Sequence, residues 1–243
     1  MANRLFEQPR LAEIYDALDG DRRDLDVYAA LVDELGARSV LDVGCGTGSF
    51  ACLLAVRGID VVGVDPAYAS LAVARSKPNA DKVTWLHGDA SSLPSLHVDL
   101  ATMTGNVAQV FIDDDEWRAT LRQVRSAVRL GGHVVFETRE PTAEAWRDWN
   151  RRTSRRRIDI AGIGVVESWV DTVAIDGPLV SFRWTYVFES DGAVLTSDST
   201  LRFRTLEEVE ASLAAAGLDL EEVRDAPDRP GLEMVCISTR TRS

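Results

Sequence analysis

The sequence is poor in the residues that build covalent staples and metal sites: its 243 residues include 3 cysteines, 3 histidines and 3 methionines. Cys45, Cys52 and Cys236 form neither a paired disulfide framework nor a metal-ligand spacing, which suits a reducing cytoplasm. No metal is expected. Basic charge is also scarce. Lys and Arg total 27 against 39 Asp and Glu, a net charge of -12 that repels phosphate backbones and anionic membranes. With 8 prolines and 17 glycines the chain is neither collagenous nor of low complexity. No apolar run reaches the length of a membrane span, and Met1-Ala2-Asn3-Arg4 is not followed by a signal-peptide core. These absences predict a soluble protein of the cytoplasm.

What remains is patterned. Apolar residues at helical spacing run through residues 11–35, broken into two helices at Asp19-Gly20-Asp21. Strands are predicted at 39–43, 60–65, 82–86, 98–103 and 133–137, with helices at 49–57 and 66–77 and another opening at Asp113-Asp114-Asp115 and stopping at Leu130-Gly131-Gly132. Strands alternating with helices in this rhythm argue for a parallel sheet covered on both faces. After Pro141 the rhythm changes. A short helix over 143–150 carries Trp146 and Trp149, and three alternating segments follow at 165–175, 179–189 and 194–203. Asp176-Gly177 and Asp191-Gly192 join them as tight hairpins, so they form an antiparallel meander inserted into the domain. Thr205-Leu206-Glu207-Glu208 is a capping box opening a further helix, and strands over 218–224 and 232–239 close the chain.

The first strand runs into Gly44-Cys45-Gly46-Thr47-Gly48. Glycines here let backbone amides approach a ligand, because no Cβ stands in the way. The spacing is G-x-G-x-G and not the G-x-G-x-x-G of a dinucleotide fingerprint. Asp42, two residues before the first glycine, would repel a pyrophosphate and suits a protonated α-amino group. Asp65, at the end of the next strand, can accept both hydroxyls of a ribose. His87-Gly88-Asp89-Ala90, past the third strand, can reach an adenine edge. Together they describe a nucleoside carrying an amino acid and no phosphate.

With these residues in place, the sequence resembles the class I S-adenosylmethionine-dependent methyltransferases. The matching segments are Val40-Leu41-Asp42-Val43-Gly44-Cys45-Gly46-Thr47-Gly48, Val62-Gly63-Val64-Asp65, Gly88-Asp89-Ala90 and Leu130-Gly131-Gly132. The resemblance implies an enzyme with a doubly wound, mostly parallel seven-stranded α/β sheet, Rossmann-like, with the three-stranded meander inserted after strand five. It divides the single domain into a helical cap at 1–36, a cofactor-binding core at 37–141, an inserted helix and antiparallel sheet at 142–204, and a closing helix and hairpin at 205–243. It implies that Asp42, Gly44, Cys45 and Gly46 hold the methionine end of S-adenosyl-L-methionine, Asp65 and Pro66 the ribose, Gly88, Asp89 and Ala90 the adenine, and that Met103, Thr104 and Gly105 line the site. The product would be S-adenosyl-L-homocysteine.

Less is written about the acceptor. His87, His97 and His133 are the only histidines, and none stands where a general base belongs. Asn106 could orient an amine or hydroxyl, or could simply shape the turn after Gly105. Tyr15 could roof the site or pack its helix. The arginine-rich run at 151–157 reads as a solvated linker, or as a patch for an anionic group. Phe182, Trp184, Tyr186 and Phe188 share one face of a strand, for core packing, a lid over the site or a homodimer contact. The layout resembles amino-sugar N,N-dimethyltransferases, which implies a small-molecule acceptor methylated on nitrogen or oxygen. RNA or protein methylation, and cofactor binding without turnover, are the alternatives.

Overall fold

In a computed structural model, which describes residues 4–20, 22 and 24–241, the chain builds two sheets. Helices α1 (Arg4–Glu7), α2 (Pro9–Asp19) and α3 (Asp24–Glu34) precede β1 (Ser39–Val43), α4 (Ser49–Val56), β2 (Asp60–Asp65), α5 (Tyr68–Ser76) and β3 (Val83–His87). Asp21, expected to break the first helical run, lies outside the described residues; α2 ends on Gly20, whose φ is 72°. Next come β4 (Val98–Met103), α6 (Asp114–Ala127) and β5 (Val128–Arg139). Then α7 (Arg151–Ser154), β6 (Arg156–Ile160), β7 (Gly164–Asp176), β8 (Leu179–Phe188) and β9 (Val194–Arg202) form the inserted region. The chain closes with α8 (Leu206–Ala216), β10 (Leu218–Asp225) and β11 (Glu233–Arg240).

The large sheet has the order β10-β11-β5-β4-β1-β2-β3. β1 to β5 are parallel and β11 runs antiparallel to β5. The strand order reverses between β1 and β4, so a crevice opens at their carboxyl ends, where doubly wound sheets bind ligands. One face is filled by α6 and α8 around Trp117, Leu121 and Leu213, the other by α3 and α4 around Val32, Leu54 and Ile237. The local signals explain the helix ends. Asp113 caps α6 by accepting from the amides of Asp115 and Glu116, and Thr205 with Glu208 closes the capping box of α8.

Three expectations need correction. Leu130-Gly131-Gly132 does not stop α6; it lies within β5, where Gly131 takes φ 72° and the register against β4 shifts. A Cβ on Gly132 would stand 2.6 Å from the carbonyl oxygen of Asp99, so the glycine pair serves strand contact. The segment carrying Trp146 and Trp149 is two 3-10 turns, Pro141–Ala143 and Ala145–Asp148, with Glu144 at φ 46° between them. The arginine run is no linker. It supplies α7 and β6, making the inserted sheet four-stranded, β6-β7-β8-β9. Part of its charge is matched across the ladder, with Arg155 bidentate to Glu167 and Arg157 bidentate to Glu189.

The aromatic face of β8 is covered by the chain's own N-terminus. Tyr186 and Phe188 pack with Leu5, Leu11 and Ile14 of α1 and α2, with Trp184 and Tyr15 at the margin. On this face α1 and α2 take up Tyr186 and Phe188, and Trp149 takes up Phe182. The Arg10 guanidinium lies 3.7 Å over the Phe188 ring and pairs with Asp191. Phe188 is fully buried, so Phe188→Ala should lower the stability by about 3–5 kcal/mol, the usual penalty for an emptied aromatic site, read as a fall in the urea midpoint.

Candidate active site

The glycine turn after β1 is held from two sides. The Gly44 and Cys45 amides donate to the Val64 carbonyl at 2.8 and 3.1 Å, tying the turn to β2. Asp65, the last residue of β2, accepts from the Gly46 amide at 2.8 Å and from the Ala67 amide at 2.7 Å. One carboxylate therefore fixes both the turn and the approach to α5. It is buried, and burial raises its pKa. Pro66 is exposed and its carbonyl faces His87 Nε2 at 3.1 Å.

Space at the turn is uneven. A Cβ on Gly48 would collide with Trp85, and one on Gly44 would stand 2.6 Å from Val107, so those glycines serve packing. Gly46 (φ 53°) and Gly105 (φ 69°) face open space, with nothing within 4 Å of an added Cβ. These two bare backbones flank the crevice between β1 and β4.

Asp42 is only 1% exposed and accepts from Thr102 Oγ1 at 3.1 Å. Burial pushes its pKa up to about 7. It sits in β1, in register with Gly63 of β2 and Thr102 of β4. Further along the edge, Asp89 caps a 3-10 turn by accepting from the Ser91 amide and hydroxyl, and its pKa is lowered mainly by that hydroxyl; Ala90 behind it is buried and Gly88 is half-buried. Met103 is buried, Thr104 half-buried and Gly105 exposed.

Asn106 lies at the turn after β4. Its backbone takes φ 61°, its side chain is 2% exposed, and Nδ2 donates to Glu233 Oε1 at 2.9 Å. Nδ2 is thus engaged inside the protein while the buried Oδ1 has no hydrogen-bond partner among the described residues, and the backbone angle of Asn106 shapes the turn after Gly105. Its backbone N–H donates to Glu137 Oε1 at 2.9 Å, and the Tyr28 hydroxyl donates to Glu137 Oε2. Burial, with Glu233 nearby, raises Glu137 to about 7. Arg229 Nη1 reaches the same Glu233 oxygen at 2.7 Å, and Arg139 Nε lies 3.5 Å from it. The sequence reading missed Glu137, Arg139, Arg229 and Glu233. The one available signal was charge where β5 otherwise reads Val134-Val135-Phe136.

Tyr15 is half-buried beside Phe6, at a ring separation of 5.4 Å, and burial raises its pKa. The next residue clasps the glycine turn. Asp16 accepts from Thr47 Oγ1 at 2.6 Å and Ser49 Oγ at 3.2 Å, and pairs with Lys77 Nζ at 2.5 Å. The site thus has a loop, two buried acids, bare glycines and a helix strapped across one end. His133 pairs at 3.4 Å with Glu221 on β10, away from that loop. Among the described residues no group of His, Cys, Asp and Glu is arranged to hold a metal.

Residues 40–132 match the family described as Methyltransferase domain. That stretch runs from β1 into β5. It is 32% identical over 108 residues to the cypemycin N-terminal methyltransferase of Streptomyces sp., covering 44% of each chain. It is also 31% identical over 106 residues to the ubiquinone biosynthesis O-methyltransferase of Acinetobacter baylyi, covering 43% of this chain and 44% of that one. The matched stretch thus spans less than half the length of either relative. Solved structures align over nearly the whole chain. The CcbJ methyltransferase from Streptomyces caelestis aligns at TM-score 0.75 and 22% identity, over 96% of both chains. CalS10, an amino pentose methyltransferase from Micromonospora echinaspora involved in calicheamicin biosynthesis, aligns at 0.71 and 23%, over 94% of this chain and 96% of that one. These structures share its fold.

The raised pKa of Asp42 has a defined stability signature. The folded value near 7 lies above the ordinary 3.8, so its contribution is full below pH 4, declines from pH 4 to 7 and is gone above 7. Asp42→Asn removes that loss. In ligand-free protein the stability of Asp42→Asn relative to wild type should be higher at pH 8 than at pH 5, on the scale of a few kcal/mol, read as a rise in melting temperature. An offset that is the same at both pH values in scanning fluorimetry would show that Asp42 is not the titrating group.

Proposed function

We propose that this protein transfers a methyl group from S-adenosyl-L-methionine to a nitrogen or oxygen nucleophile of a small molecule. The observation that carries the reading is the placement of two buried carboxylates, Asp42 and Asp65, at adjacent strands beside the open backbone of Gly46. That donor set fits the cofactor. An ammonium group compensates a buried carboxylate that is otherwise costly to ionise, and a pair of hydroxyls can share the Asp65 oxygens. A pyrophosphate would meet two acids. When bound, the cofactor supplies an electrophilic methyl group on a sulfonium.

In this reading Asp42 with Gly44, Cys45 and Gly46 holds the amino-acid end, and Asp65 with Pro66 holds the ribose. Gly88, Asp89 and Ala90 take the adenine edge, while Met103, Thr104 and Gly105 line the centre. Tyr15 roofs the crevice and Asn106 keeps its turn in place. Orientation and exclusion of water are the chain's contribution, since the donor is already activated. The relatives named for ubiquinone and amino pentose methylation support a small acceptor. In the arginine run Arg151, Arg155 and Arg157 are held by Glu167 and Glu189, which lessens what the run offers to RNA. Three free, buried thiols support a reducing cytoplasm.

Two measurements test this. Incubated with methyl-labelled cofactor and a cell extract, the protein should label the small-molecule fraction; label confined to RNA or protein would overturn the acceptor class. In calorimetry, Asp65→Ala should weaken cofactor binding by about 2 kcal/mol, roughly 30-fold, the scale of a lost charge-assisted hydrogen bond. Unchanged affinity in folded Asp65→Ala protein would remove Asp65 from the site.

A further inference from the structure

Beyond the glycine turn, the carboxyl edge of the large sheet carries a second polar cluster. Arg139 ends β5, two residues past Glu137, beside the Gly105-Asn106 turn that follows β4. Its guanidinium is only partly satisfied. Nη1 donates to Gln109 Oε1 at 2.8 Å and Nε lies 3.5 Å from Glu233 Oε1, while Nη2 has no partner among the described residues. That Glu233 oxygen already accepts from Asn106 Nδ2 and Arg229 Nη1, so two guanidinium groups share one buried carboxylate. Arg229 has a further acid in Asp228, 3.4 Å away on the solvent side; Arg139 has no other carboxylate within 4 Å among the described residues. Burial disfavours the charge of Arg139, whose pKa is lowered. The side chain nevertheless keeps 20% of its surface reachable, so the cation is held near an opening.

The surroundings are aromatic. The Trp149 ring lies 5.4 Å from the guanidinium and packs against Phe182 and Phe203. Tyr15, the roof residue, is within electrostatic range of both Arg139 and Tyr186. A cation that shares its buried carboxylates with Arg229 and lies beside the Trp149 ring, at the carboxyl end of β5, suits an anionic group on a flat or apolar molecule.

We propose that Arg139 is the specificity-determining residue for the methyl acceptor, and that the acceptor carries a carboxylate which pairs with its guanidinium. This deepens the methyl-transfer reading and rests on it. The planar fork of arginine matches the two oxygens of a carboxylate, and a neutral carboxamide would leave the cation no better compensated than before.

The test uses the full chain loaded with S-adenosyl-L-homocysteine and a matched pair of probes, 4-aminobenzoate and 4-aminobenzamide, titrated by NMR. The homocysteine product is titrated first, and its failure to bind overturns the cofactor reading itself. With it bound, 4-aminobenzoate should bind at least about tenfold more tightly than the amide, the scale of one charge-assisted hydrogen bond. Arg139→Gln should abolish the preference while affinity for the homocysteine product stays within about twofold, since none of the residues assigned to the cofactor hydrogen-bonds to Arg139. A merely structural Arg139 would not move the ratio between the two probes. If Arg139→Gln fails to fold, Arg139→Lys carries the test: it keeps the cation without the planar fork, and the preference should shrink without vanishing. Equal binding of the two probes to wild type, no binding of either, or an unchanged preference in the folded variant would overturn the assignment.

Discussion

The glycine turn of the large sheet depends on the Asp65 carboxylate. Its two oxygens take the amides of Gly46 and Ala67, so one side chain at the end of β2 sets the shape of the turn after β1 and the entry to α5. Burying a carboxylate is expensive, and the two amide bonds offset part of that cost. The arrangement is worth its cost only if the turn must be held still. A flexible glycine turn would lose entropy on every binding event, whereas a braced one presents its open backbone at Gly46 already ordered.

Helix α2 joins the two sheets. Its inner face, through Leu11 and Ile14, packs on the inserted sheet, and Asp16 on its flank grips Thr47, Ser49 and Lys77 beside the glycine turn. Movement of the inserted sheet and movement of the turn are therefore linked through one helix of 11 residues. This gives a physical reason for an insertion so far along the chain to matter at the turn. The sheet carries the aromatic platform, and the helix transmits its position.

Charge in the crevice is divided. Around the glycine turn the buried groups are acids, Asp42 and Asp65, which suit a cationic and hydroxyl-bearing ligand. Around the carboxyl end of β5 two guanidinium groups share Glu233, with Glu137 raised to about 7 by burial and by that same neighbour. The two ends of the crevice therefore differ in composition, acids alone at the turn and acids paired with guanidinium groups at β5.

The sequence by itself determined what depends on neighbours in the chain: the G-x-G-x-G turn and its acids, the capping box at Thr205, the hairpins at Gly177 and Gly192, and the alternation that makes the large sheet. Each is a short-range matter of allowed backbone angles, caps or periodicity. The tertiary structure alone decided the rest. The arginine run became a strand because Glu167 and Glu189 stand across from it, and the Trp146–Trp149 stretch gave up a regular helix to pack on Phe182 and Phe203. The aromatic face of β8 was closed by helices from the opposite end of the chain. Asn106 was turned inward by Glu233, 127 positions away. No local pattern encodes such a pairing, because the energy of a buried charge depends on which partner the fold brings to it.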